Sequence, residues 1–97
     1  MDETTIREHV QRHADAVVAG DMETVIGDFS EELRPHAPQM AGLLPKPVTA
    51  AEVESLEVGD PTSVAHIRYD GDDASLTIRS EWQVVDGRPT ITAGAPV

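Results

Sequence analysis

The chain contains no cysteine. Disulfides, thiolate metal sites and cysteine nucleophiles are therefore excluded. Aromatic side chains are almost missing: Phe29, Tyr69 and Trp82 are the full set, so a core has to come from Val, Ile, Leu and Ala. Positive charge is also scarce. Seven Lys and Arg against 18 Asp and Glu leave a formal charge of −11. Phosphate contacts need a cationic surface, so neither nucleic acid nor an anionic membrane is an expected partner. Such acidity gives solubility through mutual repulsion. Long apolar runs are lacking as well. Ala16-Val17-Val18-Ala19 falls far short of a bilayer span. The segment Met1-Asp2-Glu3-Thr4-Thr5 lacks the basic and apolar stretches of a signal peptide. The expected location is the cytoplasm. There is no Gly-rich phosphate loop and no serine nucleophile elbow, and no cofactor is expected.

What is present fits one domain. Ninety-seven residues leave no room for two cores, and a chain this short buries roughly 60–65% of its unfolded surface. Residues 5–19 repeat at helical spacing. Ile6, Val10, Ala14 and Val17 share an arc of about 100° per residue that also holds His13, with His9 at its edge. Thr5 and Glu8 have the spacing of a capping box, and Gly20 is suited to stop the helix in a left-handed conformation. Asp21 caps a second helix carrying Met22, Val25, Ile26 and Phe29. Between Arg34 and Pro47 lie four prolines. Pro35 is placed to open a third, short helix with Met40, Leu43 and Leu44, which Pro45 and Pro47 end.

From Val48 the pattern turns to strands, over residues 52–58, 64–70, 74–85 and 90–95. Gly59-Asp60-Pro61-Thr62, Gly71-Asp72 and Asp86-Gly87 supply the turns. A tight turn at Gly71-Asp72 sets Ile67 opposite Leu76, Ala65 opposite Ile78 and Tyr69 opposite Ala74. A tight turn at Asp86-Gly87 sets Trp82 opposite Ile91 and Ser80 opposite Ala93. Both hairpins place apolar against apolar, and a one-residue slip would mix the faces. One face then carries Ala65, Ile67, Tyr69, Ala74, Leu76, Ile78, Ser80, Trp82, Val84, Ile91 and Ala93, and meets the first helix. The other carries Val64, His66, Arg68, Ser75, Thr77, Arg79, Glu81, Gln83, Val85, Thr90 and Thr92. The fold class is α+β. Two to three N-terminal helices, about 5–44, pack on one face of a curved four-stranded antiparallel meander, about 50–95.

The helix–Gly20-Asp21–helix join and the late Trp82-Gln83-Val84-Val85-Asp86-Gly87-Arg88-Pro89 resemble the nuclear transport factor 2-like superfamily, which includes polyketide-cyclase-like and ketosteroid-isomerase-like proteins. The resemblance implies a cone-shaped fold, a pocket between the first helix and the sheet, and frequent homodimers through the outer sheet face. The chain would be a short member, with the proline-rich 34–47 stretch where relatives carry an early strand. No catalytic pair of an isomerase or cyclase has a matching local motif here.

Candidate chemistry centres on His13, Tyr69, Ser80 and Trp82, the residues expected to bind a ligand. A histidine inside an apolar arc is tunable by burial and neighbours. Tyr69 and Ser80 offer hydroxyl donors, and Trp82 an apolar plate. Glu8 and Asp15 lie on the far side of the helix, so no close acidic partner is expected for His13. His9 and His13 have zinc-ligand spacing, but His66, the third candidate, belongs to the outer face, and no metal is expected. Arg68, Arg79 and Glu81 on the outer face form either an anion site or surface ion pairs. Asp70, Asp72 and Asp73 lack the spacing of a calcium loop and form a solvated turn.

The expected function is the binding of a small apolar or amphipathic molecule between helix 1 and the sheet. The alternatives are a small isomerase, cyclase or lyase using a pocket histidine, and a dimerisation module without a pocket. A cavity of about 300 Å³ or more favours a ligand, and an acidic group facing His13 favours the enzyme.

Overall fold

A computed structural model of the chain describes residues 2–97. Helix α1 spans Glu3–Ala19. It begins earlier than expected because Asp2, not Thr5, is the cap. The Asp2 carboxylate accepts the Thr5 backbone N–H at 2.7 Å. That bond holds the Asp2 carboxyl below its ordinary value, as suits an anion at a helix N-terminus. Gly20 ends the helix with φ at 74°, and its N–H returns to the Ala16 and Val17 carbonyls, the left-handed cap that glycine adopts without steric cost.

Helix α2, Met22–Gly27, starts at Asp21, whose carboxylate takes both the N–H and the hydroxyl of Thr24. The proline-rich segment differs in detail from expectation. Pro35 lies in a short 3₁₀ turn, Arg34–His36, and a separate helix α3, Ala37–Gly42, follows with Pro38 in its first turn. Both prolines occupy positions where no backbone N–H is needed.

Strands β1 (Ala50–Glu57), β2 (Ser63–Asp70), β3 (Ser75–Val85) and β4 (Arg88–Pro96) form one antiparallel meander in the order β1-β2-β3-β4. In β2 every second residue is buried: Ser63, Ala65, Ile67 and Tyr69. One covered face is normal for an antiparallel sheet.

The two hairpins depart from the expected register in different ways. Ile67 pairs with Ile78, Tyr69 with Leu76 and Ala65 with Ser80. That is a shift of two residues, because the turn is a wider loop closed by the Gly71 N–H on the Ala74 carbonyl at 2.8 Å. Ala74 lies in this loop, not in the strand. A two-residue shift preserves side-chain parity, so the faces survive. At the second hairpin Trp82 does oppose Ile91, but the register slips between Glu81 and Trp82. Thr92 is the extra residue. Beyond it Ala93 faces Glu81 and Gly94 faces Ser80, so Ala93 leaves the helix-facing side.

Ile6, Val10, Ala14 and Val17 of α1 share one core with Ala65, Ile67, Tyr69, Trp82 and Ile91. Each fully buried large side chain contributes about 1.5–3 kcal/mol. Just after α2, Phe29 bridges Ile91 in parallel. The Ile91 N–H donates to the Asp28 carbonyl at 2.7 Å, and the Ser30 N–H to the Ile91 carbonyl at 2.9 Å. These bonds fix the position of Asp28 between α1 and β4. Among the described residues no helix is long and apolar enough to cross a membrane.

Candidate functional site

A cavity of about 160 Å³ lies between α1, α2, α3 and the inner sheet face. Val17, Phe29, Ile67, Ile78 and Ile91 supply much of its apolar wall, and His13, Tyr69 and Ser80 are its polar lining residues. Met22, Ile26 and Pro38 line it and are also exposed, so the opening runs between α2 and α3. The space is smaller than the 300 Å³ of drug-sized sites. It matches cavities of about 150 Å³ that take up a benzene ring.

His13 is 5% exposed, and its close acidic partner corrects the expectation that it would have none. Nδ1 lies 2.9 Å from Oδ2 of Asp28, whose side chain is wholly buried. The partner comes from the chain just after α2, where periodicity within α1 carries no information. Burial alone would raise the Asp28 carboxyl. The hydrogen bond with His13, and then the nearby Arg12 and Arg88, more than offset this and leave it below its ordinary value. Arg88 reaches Oδ1 at 3.2 Å and Arg12 at 3.5 Å. A buried carboxylate with three cationic or donor partners meets the condition for keeping a charge out of water.

Sequence reasoning missed Asp28, although a signal exists. It follows the buried Val25 by three residues, which places it on the same helical face. A carboxylate on a buried stripe requires a partner.

Tyr69 is 4% exposed and lines the same cavity. Burial pushes its phenol well above the ordinary range. No group among the described residues hydrogen-bonds the hydroxyl, and none bonds Nε2 of His13. Yet no fully enclosed side-chain nitrogen or oxygen lacks a partner. Both atoms therefore keep an open side, and the cavity is the space their residues share.

Ser80 and Trp82 play other parts than expected. The Trp82 indole N–H donates to Ser80 Oγ at 3.0 Å, and Ser80 donates to the Ala65 carbonyl at 3.4 Å. Ser80 lines the cavity with its hydroxyl already engaged. Trp82 is fully buried behind it and does not line the cavity. Its ring stands edge-on to His13 with centroids 5.6 Å apart, which fixes the imidazole plane.

The remaining candidates do not converge. His9 Nδ1 lies 3.3 Å from an Arg12 guanidinium nitrogen. Burial, and then Arg12, depress its proton affinity. His66 bonds Ser55 on the outer face. Among the described residues no group of three or more His, Asp or Glu is placed to hold a metal ion. On the outer face Arg68 meets Glu52 at 2.7 Å, Asp70 at 3.1 Å and Glu54 at 3.4 Å, and Arg79 meets Glu81 at 3.2 Å. These guanidiniums are held by carboxylates in surface ion pairs and are not arranged as an anion site.

No protein-family model matches the chain, and no curated protein matches it. The functional reading therefore rests on the cavity and its residues.

Proposed function

We propose that the chain binds a small, mostly apolar molecule of about one aromatic ring in the cavity between α1 and the sheet. The observation that carries this reading is the cavity itself, an apolar space on the inner sheet face with the largely buried His13 and Tyr69 in its lining. The order of elements supports reading the chain as a short member of the nuclear transport factor 2-like superfamily; a homodimer through the outer sheet face and a cytoplasmic setting are part of the same proposal. The test is a titration with toluene followed by amide and methyl NMR, alongside native mass spectrometry of the gently purified protein. Shifts confined to Ile67, Ile78, Ile91 and their neighbours, absent in Ala41→Trp, which fills the cavity from its α3 wall, support the reading. No shifts with toluene and no retained molecule contradict it.

One observation favours a second reading, a small isomerase, cyclase or lyase. The Asp28 carboxylate orients His13 so that Nε2 is the free nitrogen, the arrangement of a general base positioned by an acid. In this reading His13→Gln keeps ligand affinity and loses turnover. The third reading, a dimerisation module with a filled core, is disfavoured by the open cavity.

A further inference from the structure

Resting on the small-molecule reading, we infer that the ligand carries a neutral hydroxyl, as a phenol, enol or alcohol, on its apolar body. The imidazole fixes one half of the match. Nδ1 faces the Asp28 carboxylate at 2.9 Å, and a carboxylate there selects the tautomer whose proton is on Nδ1. A ring that carries its single proton on Nδ1 leaves Nε2 as a bare acceptor. Tyr69 fixes the other half. Its hydroxyl has no hydrogen bond to a protein group, and as an un-ionised phenol it carries a proton to donate. Beside the engaged Ser80 hydroxyl, the cavity residues thus offer one acceptor and one donor in a largely apolar wall.

The space is about 160 Å³, room for little more than one ring, so both groups address the same ligand. A hydroxyl is the smallest group that satisfies both, donating to Nε2 and accepting from Tyr69. An aliphatic ligand leaves both buried groups unpaired, which is costly. A carboxylate lacks the proton that Nε2 needs and would enter a chain of net charge −11, where long-range repulsion opposes it. The two cations near the site, Arg12 and Arg88, already share the Asp28 carboxylate.

The experiment titrates phenol, toluene and benzoate into the protein at neutral pH, with binding read by NMR shifts at the cavity residues. Phenol and toluene differ by a hydroxyl for a methyl, so their ratio isolates the polar match. Phenol is expected to bind about tenfold or more tighter than toluene, and benzoate weakest of the three. Tyr69→Phe, a deletion of the hydroxyl alone, should cut the phenol preference severalfold, with toluene bound at least as tightly as by the wild type. His13→Gln, which keeps a polar side chain, serves as the second variant and should also reduce it. Toluene binding as tightly as phenol overturns the hydroxyl assignment and leaves the small-molecule reading standing. Preference for benzoate overturns it in favour of an anion site. Failure of all three probes to bind overturns both.

Discussion

His13 and Asp28 meet through a 2.9 Å contact between Nδ1 and Oδ2, with the carboxylate fully buried and the imidazole nearly so. The two residues come from elements that share no helical repeat. Their pairing joins α1 to the segment after α2, and the Asp28 backbone carbonyl joins that segment to β4. One contact therefore ties the core to the cavity wall.

Asp28→Asn should remove this tie. The Asp28 carboxyl is depressed in the folded state, so its contribution is fully present above the unfolded value near pH 4. That contribution is lost as the pH falls through the lower folded value. Denaturant unfolding at neutral pH should show a loss of about 2 kcal/mol or more. The same titration below about pH 4 should show wild type and variant converging. Parallel pH profiles would contradict the assignment.

The Asp86-Gly87 turn gives a backbone prediction. Both residues have positive φ, 53° and 77°, as a two-residue hairpin turn of this kind requires. A Cβ at Gly87 would meet nothing within 4 Å, so the cost of Gly87→Val is conformational. It should exceed about 1 kcal/mol and appear as a lower melting temperature. An unchanged Tm would count against the turn.

Much of this fold is legible in the sequence because side-chain parity is robust. The inner-face set Ala65, Ile67, Tyr69 and Trp82 follows from alternation alone, and the two-residue shift at the Gly71 loop left it intact. Loop length is what alternation does not encode, since a tight turn and a wider one give the same parity. The bulge at Thr92 is invisible for a similar reason: Thr92-Ala93-Gly94 alternates too weakly to show a slip. In the site, His13 and Tyr69 were legible as polar residues on apolar faces. Ser80 and Trp82 were legible as inner-face residues, but not their hydrogen bond to each other, which engages the Ser80 hydroxyl, nor the place of Trp82 behind the cavity wall. Asp28 escaped because its partner lies across a tertiary contact.

The outer face gives the assembly prediction. Its half-buried Val64, His66 and Gln83 alternate with ion pairs around Arg68 and Arg79, a mixed surface of the kind that pairs with a second copy. Light scattering at micromolar concentration should give a dimer mass. Glu81→Lys, which breaks the Arg79 pair and leaves two cations side by side on this face, should shift it towards monomer. A wild-type mass of one chain that does not change with concentration would leave this face as ordinary solvated surface.

The central claim is that His13 holds Nε2 open to the cavity as an acceptor while Asp28 holds Nδ1. Long-range proton–nitrogen NMR of the histidine rings, with and without phenol, tests it most directly. The account predicts a His13 ring protonated at Nδ1, with an Nε2 resonance that moves on phenol addition while those of His9, His36 and His66 do not. A ring protonated at Nε2 alone, or an Nε2 resonance indifferent to saturating phenol, would contradict it.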